Sequence, residues 1–143
     1  MFLGEFDRSL DPKGRVVLPA EHREELGESG YITKALDPCL AIFRPEEFEK
    51  VMARMEEYAR QGSDHRRRAT LVSSGAHQIV PDRQGRIAIA PKLREYAGLV
   101  GDVKVVGGNA RIEIWDMQRW YEVHPQEQQG FDRSDRDLAA LGI

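Results

Sequence analysis

The pattern of apolar and polar residues predicts a long amphipathic helix near the middle of the chain. Between Pro45 and Arg60, apolar side chains recur every three or four residues, which places them on one helical face. The Gly62-Ser63 pair marks its end. A shorter helix is expected over Asp64–Val72, with Asp64 as its N-cap. The apolar positions of the long helix are Phe48, Val51, Met52, Met55, Tyr58 and Ala59.

Outside these helices the pattern is shorter, and it occurs twice. Residues 11–27 (DPKGRVVLPAEHREELG) align with residues 82–98 (DRQGRIAIAPKLREYAG) at an offset of 71. Ordinary composition would give about one identity in such a window, and the chain has six. With a slip of one residue, the match continues downstream, so nearly the whole chain is an internal duplication. The identical pairs are Asp11/Asp82, Gly14/Gly85, Arg15/Arg86, Arg23/Arg94, Glu24/Glu95 and Gly27/Gly98.

Each copy is expected to contain the same elements. A short strand leads into a tight Asp-x-x-Gly turn, where the glycine supplies a positive φ. A second strand ends at a proline, a short helix ends at a glycine, and two more strands follow. The predicted strands are Arg15–Leu18, Tyr31–Ala35 and Leu40–Phe43, then Arg86–Ile89, Val103–Val106 and Arg111–Trp115. The predicted short helices are Ala20–Leu26 and Pro91–Ala97, and another begins near Asp116.

These elements predict a fold that is mainly β with short helices, an α+β class. Each copy has only roughly 60–70 residues, too few for a core of its own, and its strands would leave sheet edges unpaired. We therefore expect the copies to interleave as an internal pseudo-dimer around one core. The predicted organisation is a first copy with a helical linker over 4–72, a second copy over 73–123, and a flexible tail over 124–143.

Composition and charge narrow the function classes. The chain has 143 residues, of which 41% are apolar, and a net charge of −3. No apolar run is long enough to cross a membrane, and the first residues lack the features of a signal peptide, so we expect a cytoplasmic protein. The negative charge argues mildly against nucleic acid as a partner, although basic side chains can still gather on one face.

Metal, redox and catalytic sites are not predicted. Cys39 is the single cysteine, and its apolar neighbours predict a buried side chain rather than a reactive thiol. The four histidines show no metal-ligand spacing. The sequence has no nucleophile motif, no P-loop and no paired carboxylates, so we expect neither an enzyme nor a cofactor nor a small-molecule substrate.

The strongest chemical signal is Asp-x-x-Gly-Arg, which begins at Asp11 and again at Asp82. The aspartate can accept hydrogen bonds within its own turn and pair with Arg15 or Arg86, which would fix the direction of the guanidinium. Arginine is well shaped for bidentate contacts with phosphate or guanine. Such turns could clamp a nucleic-acid backbone. Alternatively, the pairs are internal salt bridges that only hold the turns, and the residues leave both interpretations open.

Other basic residues surround this signal. Lys13 and Arg83 lie on the turns themselves, and Arg8 precedes the first turn. The run Arg66-Arg67-Arg68 is the densest positive charge in the chain. Because it falls on a predicted helix, we interpret it as a solvated face rather than a phosphate-binding patch.

The tandem turns, each followed by a proline and an Arg-Glu helix, resemble the MraZ family. The opening FLGEFDRSLD, the linking SSGAH and the closing IEIWD resemble it too, so the resemblance covers about residues 1–123. It implies a swapped-hairpin, double-split β-barrel of the AbrB/SpoVT type, duplicated within one chain. It also implies a ring-shaped homo-oligomer, commonly of about eight subunits joined head to tail.

The resemblance further implies a nucleoid-associated transcriptional regulator of the division and cell-wall gene cluster. Such a protein would bind short direct repeats of double-stranded DNA in its own upstream promoter. The turns differ between the copies, Pro12-Lys13 against Arg83-Gln84, which leaves open whether both contact DNA equally. The implied DNA contacts are Lys13, Arg15, Arg83 and Arg86, and the residues that orient the turns are Asp11, Gly14, Asp82 and Gly85.

The sequence is compatible with two functions. The first is sequence-selective DNA binding by a regulator. The second is a ring-forming structural or adaptor protein that makes no direct DNA contact, and the net negative charge is the feature that favours it.

Overall fold

The backbone alternates short strands with short helices, in a computed structural model that describes residues 1–124 and 135–143. Both short helices that follow the turns have the predicted bounds, and the strands agree within one residue at each end. The strands are β1 (Glu5–Ser9), β2 (Arg15–Val17), β3 (Gly30–Lys34), β4 (Leu40–Phe43), β5 (His77–Ile79), β6 (Arg86–Ala88), β7 (Asp102–Gly107) and β8 (Ile112–Asp116). The helices are α1 (Ala20–Leu26), α2 (Pro45–Ala59), α3 (Ser63–Gly75), α4 (Pro91–Ala97), α5 (Met117–Val123) and α6 (Arg136–Ala140).

Strand pairing joins the two copies throughout. Six strands form an antiparallel sheet in the order β1-β7-β8-β4-β3-β5, and β2 pairs with β6 in a separate two-stranded ribbon. Four of these pairings, β1 with β7, β4 with β8, β3 with β5 and β2 with β6, connect copy one to copy two. The pairings obey a pseudo-twofold relation. The first strand of copy one, β1, pairs with β7 of copy two, and the first strand of copy two, β5, pairs with the equivalent strand β3 of copy one. The interleaved α+β fold is therefore confirmed.

The strands do not close into the expected barrel. Among the described residues, β1 and β5 are the free edges of the six-stranded sheet, and the ribbon remains a separate sheet. Strands β2 and β6 have three residues each and pair with each other, and the turn that joins β1 to β2 forms hydrogen bonds within itself. The Asp11 amide donates to the Arg15 carbonyl at 2.9 Å, and the Gly14 amide donates to the Asp11 carbonyl at 2.9 Å.

One core unites the sheet and the ribbon. Val16 and Ile87, at the centres of β2 and β6, are both 1% exposed and pack into the main apolar cluster. A second cluster lies where Phe48 of α2 covers the sheet beside Trp115. Cys39 is buried there, as predicted, and burial raises the pKa of its thiol to about 12. The main cluster contains Phe2, Val16, Leu18, Leu26, Ile32, Leu40 and Ile42 from copy one, with Ile79, Ile87, Ile89, Leu93, Ala97, Leu99, Val103, Val105, Ile112 and Ile114 from copy two.

The linker forms two helices, of which the first matches its prediction closely. The second, α3, is longer than predicted, and the prediction of Asp64 as its N-cap is wrong. The helix begins one residue earlier, so Asp64 lies in its first turn, where its carboxylate pairs with Arg67 Nη1 at 2.9 Å. Arg66, Arg67 and Arg68 are exposed, as expected for a solvated face.

The end of the chain is described only in part. Residues 125–134, most of the predicted flexible tail, lie outside the described residues. Beyond them, α6 follows Asp135, whose carboxylate accepts from the amides of Asp137 and Leu138 at 2.9 and 3.2 Å. The boundaries proposed for the two copies and the tail stay a prediction. In the part of the chain that is described, no helix combines the length and apolar character needed to cross a membrane.

Candidate nucleic-acid interface

The ribbon presents two arginines on one face. Arg15 pairs with Ala88 in the register, and Val17 pairs with Arg86. Because strand residues alternate between faces, these four side chains point away from the core that holds Val16 and Ile87. Arg15 and Arg86 therefore stand at diagonal positions, with Cα atoms about 7–8 Å apart.

The first turn holds Arg15 by a network centred on Asp11. One carboxylate oxygen, Oδ1, accepts from the backbone amides of Lys13 and Arg15, both at 2.9 Å. The other, Oδ2, accepts from Arg15 Nε at 2.7 Å. Gly14 adopts φ 75°, which an L side chain would strain. Backbone and side chain thus fix the guanidinium together.

The second turn repeats this network. Asp82 Oδ1 accepts from the amides of Gln84 and Arg86 at 2.9 Å, and Oδ2 accepts from Arg86 Nε at 2.7 Å. Gly85 adopts φ 78°. The duplication has therefore preserved the geometry of the turn, including the direction in which each arginine points.

Electrostatics keep both aspartates charged. The pKa of Asp11 lies below its ordinary value, chiefly because the Arg15 amide donates to the carboxylate, with further help from the Arg15 side chain. The pKa of Asp82 is lowered in the same way, chiefly because the Arg86 amide donates to its carboxylate. Within residues 1–124 and 135–143, neither arginine uses Nη1 or Nη2 in a hydrogen bond to protein. Each guanidinium thus keeps the four N–H donors of its two Nη groups for an external acceptor.

Each turn also forms a backbone hydrogen bond with the other copy. The Gly14 carbonyl accepts from the Ile89 amide at 3.1 Å, and the Gly85 carbonyl accepts from the Leu18 amide at 2.9 Å. Since β2 and β6 run antiparallel, the two turns lie at opposite ends of the ribbon. Lys13 and Arg83 are exposed on these turns. A role of either residue in DNA contact stays a prediction.

Two arginines whose role is not evident from the sequence lie against these turns. Arg94 of α4 contacts Gly14, where a Cβ would lie 2.5 Å from Arg94 Nη1 and 2.6 Å from its Cζ. Arg23 of α1 contacts Gly85, where a Cβ would lie 2.5 Å from Arg23 Cζ. Each guanidinium therefore packs on the turn of the opposite copy. Their identity at equivalent positions of the repeat was the available signal.

Arg8 lies beside the second turn rather than the first. Its Nε donates to the Val17 carbonyl at 3.2 Å, and Val17 faces Arg86 across the ribbon. Its guanidinium also lies 5.8 Å from the centre of the Phe6 ring. Copy two has Ile79 at the position equivalent to Arg8. This cation therefore lies at the end of the ribbon near the second turn and has no counterpart near the first.

The fold and its paired turns define a class: a chain built from two interleaved copies that present matched arginine turns on one ribbon. The family model described as "MraZ protein, putative antitoxin-like" matches this chain over residues 1–70 and again over 72–140. The chain belongs to the MraZ family.

Several curated relatives are similar over nearly their full length. A protein of Acetivibrio thermocellus named "Transcriptional regulator MraZ" is 38% identical over 143 residues, covering 100% of both chains. Proteins with the same name from Micrococcus luteus and Paenarthrobacter aurescens are 40% and 39% identical, with 96% of each chain covered.

Proposed function

We propose that this protein is a DNA-binding transcriptional regulator whose two Asp-x-x-Gly-Arg turns contact the DNA. The observation that carries the proposal is the ribbon face, where Arg15 and Arg86 are each held through Nε and keep both Nη groups for an acceptor. Rigid, paired guanidinium groups suit phosphate oxygens or guanine edges. The names of the full-length relatives support the same function.

The net charge of −3 is compatible with this function because the charges are unevenly placed. Helix α2 carries a dense set of glutamates: Glu46, Glu47, Glu49, Glu56 and Glu57. The turns carry one carboxylate each, and that carboxylate is already engaged by two amides and an arginine. The ribbon can therefore have a local positive field although the net charge of the chain is negative.

The finer parts of the proposal concern the target and the assembly. We propose that the protein acts in the cytoplasm on short direct repeats in its own upstream promoter, within the division and cell-wall gene cluster. We propose further that it binds as a ring of about eight subunits. A ring would present many turns to DNA, so affinity should rise sharply between duplexes with one repeat and duplexes with two or three.

A binding titration tests the central claim. Arg15→Ala and Arg86→Ala should each weaken binding to the upstream duplex by about 1–3 kcal/mol. Arg60→Ala is the matched control, because Arg60 is exposed on the linker and pairs with Glu56 and Glu57. Fluorescence anisotropy measures the affinity, and circular dichroism melting checks the fold.

One observation favours the adaptor alternative: the internal Asp–Arg hydrogen bonds are formed in both turns. If those bonds only hold the turns, both alanine variants should melt at clearly lower temperature while their folded fraction binds DNA like the wild type. That result would reject DNA contact by the turns. Absence of any specific binding by the wild type would reject the regulator itself.

A further inference from the structure

The side chains of Arg23 and Arg94 cross between the copies. Arg94 belongs to copy two but packs on Gly14 of copy one, and Arg23 belongs to copy one but packs on Gly85 of copy two. The contacts are close enough that only glycine leaves room for the guanidinium at its present position. Both glycines are buried, although each lies on a turn at the surface.

Neither guanidinium has an internal acceptor in the described part of the chain. No carboxylate lies within 4.0 Å of Arg23 or Arg94 there, and Arg94 Nε is buried without a hydrogen-bond partner. Other half-buried arginines have a carboxylate partner: Arg44 Nη1 pairs with Glu25 and Arg111 with Glu113, both at 2.7 Å. Arg44 Nε, like Arg94 Nε, is buried without a hydrogen bond to the described residues, so the missing carboxylate is what distinguishes Arg23 and Arg94. Partial burial of an unpaired charge is unfavourable. An anion from outside the chain would therefore stabilise these two guanidinium groups.

We propose that each turn is one wall of a composite site for a backbone phosphate of DNA, and that the other copy supplies its third cation. The first site would comprise Lys13, Arg15 and Arg94. The second would comprise Arg83, Arg86 and Arg23. This inference rests on the proposed function and extends it, because each site then draws on both copies of the repeat.

The balance of charge at each turn supports this assignment. Each site has three cations and one carboxylate, and that carboxylate is already engaged by two amides and an arginine Nε. A positive excess of two is left at each turn, opposite in sign to the chain as a whole. A phosphodiester carries one negative charge and can accept from several donors at once.

The salt dependence of DNA binding tests the charge contribution. Binding of the full-length protein to its upstream duplex would be titrated at several salt concentrations for the wild type, Arg23→Gln, Arg94→Gln and Arg94→Lys. The slope of log K against log salt is negative, and losing a whole phosphate contact reduces its magnitude by about 0.9. Removing one of three cations from a site should therefore reduce that magnitude by up to the same amount. We expect Arg23→Gln and Arg94→Gln to lower it, Arg94→Lys to keep the wild-type slope, and the control Arg60→Gln to leave it unchanged.

Double variants test the crossing between copies. Arg94→Gln should be non-additive with Arg15→Ala, because both alter the first site, and additive with Arg86→Ala, which alters the second. Arg23→Gln should show the opposite pairing. Additivity in all four pairs, or coupling within each copy instead of across copies, would overturn the assignment.

The outcomes separate this inference from the function on which it rests. If the wild type does not bind the duplex specifically, the proposed function fails. If the wild type binds and both glutamine variants keep its slope, the composite site alone is rejected. If a glutamine variant melts at a much lower temperature than the wild type, Arg94→Lys gives the answer because it keeps the charge. A wild-type salt slope for Arg94→Lys supports the site. A slope of reduced magnitude shows that the charge at this position does not account for DNA binding.

Discussion

The two turns of this protein share one hydrogen-bond network but differ in the charges around it. In both, the aspartate accepts from two amides at 2.9 Å and from an arginine Nε at 2.7 Å. The neighbours differ, since the first turn carries Lys13 while the second carries Arg83 and lies beside Arg8. The two copies have therefore kept the hydrogen-bond network of the turn, whereas the exposed positions on the turn have diverged.

Removing one copy should have the largest effect on the other. A chain that ends at Val72 loses β5, β6, β7 and β8, which pair with β3, β2, β1 and β4. The remaining half should lack a cooperative thermal transition or should dimerise to replace its lost partner. Light scattering and proton NMR measure this. A stable monomeric half with dispersed signals would show that the first turn forms without the second.

Changing the turn glycines should have the next largest effect. Gly14→Ala and Gly85→Ala would each place a Cβ at positive φ, which costs about 1–2 kcal/mol, and would also displace the opposite arginine. Gly101→Ala is the matched control, because nothing lies within 4 Å of its Cβ position. Denaturant unfolding gives the free energies.

Both glycine variants should lose stability to a similar extent, since the two frames are alike. A loss in only one of them would mean that the turns differ in the frame as well as in the charges. If Gly101→Ala lost as much stability as the turn variants, neither positive φ nor close packing would explain their loss of stability.

Acid should affect both turns alike. The folded-state pKa of Asp11 and of Asp82 is lowered from 3.8, so the stabilisation is fully present above about pH 4 and is lost as pH falls through the lower folded-state values. Asp11→Asn and Asp82→Asn should be less stable at neutral pH, with a weaker acid dependence. Thermal melting between pH 7 and pH 2 measures both. A wild-type melting temperature that fails to decline below pH 4 faster than the asparagine variants do would contradict the assignment.

The smallest effect is expected for Arg8→Ala. Because Arg8 decorates only the end of the ribbon at Arg86, its removal should weaken DNA binding by less than Arg86→Ala does, by about 1 kcal/mol or less. Anisotropy with Arg60→Ala as control gives the comparison. An effect as large as that of Arg86→Ala would make Arg8 a principal contact.

The sequence predicted the local structure well because the duplication repeats local signals. Helices α1 and α4 have the predicted bounds, since proline and glycine mark both of their ends. The pairing of β1 with β7 was not predicted in detail, because it joins residues about a hundred positions apart. The Asp64 cap was predicted wrongly, because a cap and a first-turn ion pair are both open to an acidic residue near a helix start.

The candidate site was predicted only in part. The spacing of Asp11 and Arg15, and of Asp82 and Arg86, was enough to suggest each turn. The crossing of Arg23 and Arg94 was not visible, because nothing in a linear repeat says that a side chain will reach the other copy. Identity at equivalent positions marked these arginines as significant without saying where they lie.

The crossed contacts make each half of the chain depend on the other. Each arginine depends on a glycine encoded in the other copy, 62 positions away for Arg23 and 80 for Arg94. Recombination between relatives at the helical linker would therefore bring together an arginine and a turn from different parents. Such chimeras should work only where both parents agree at these four positions.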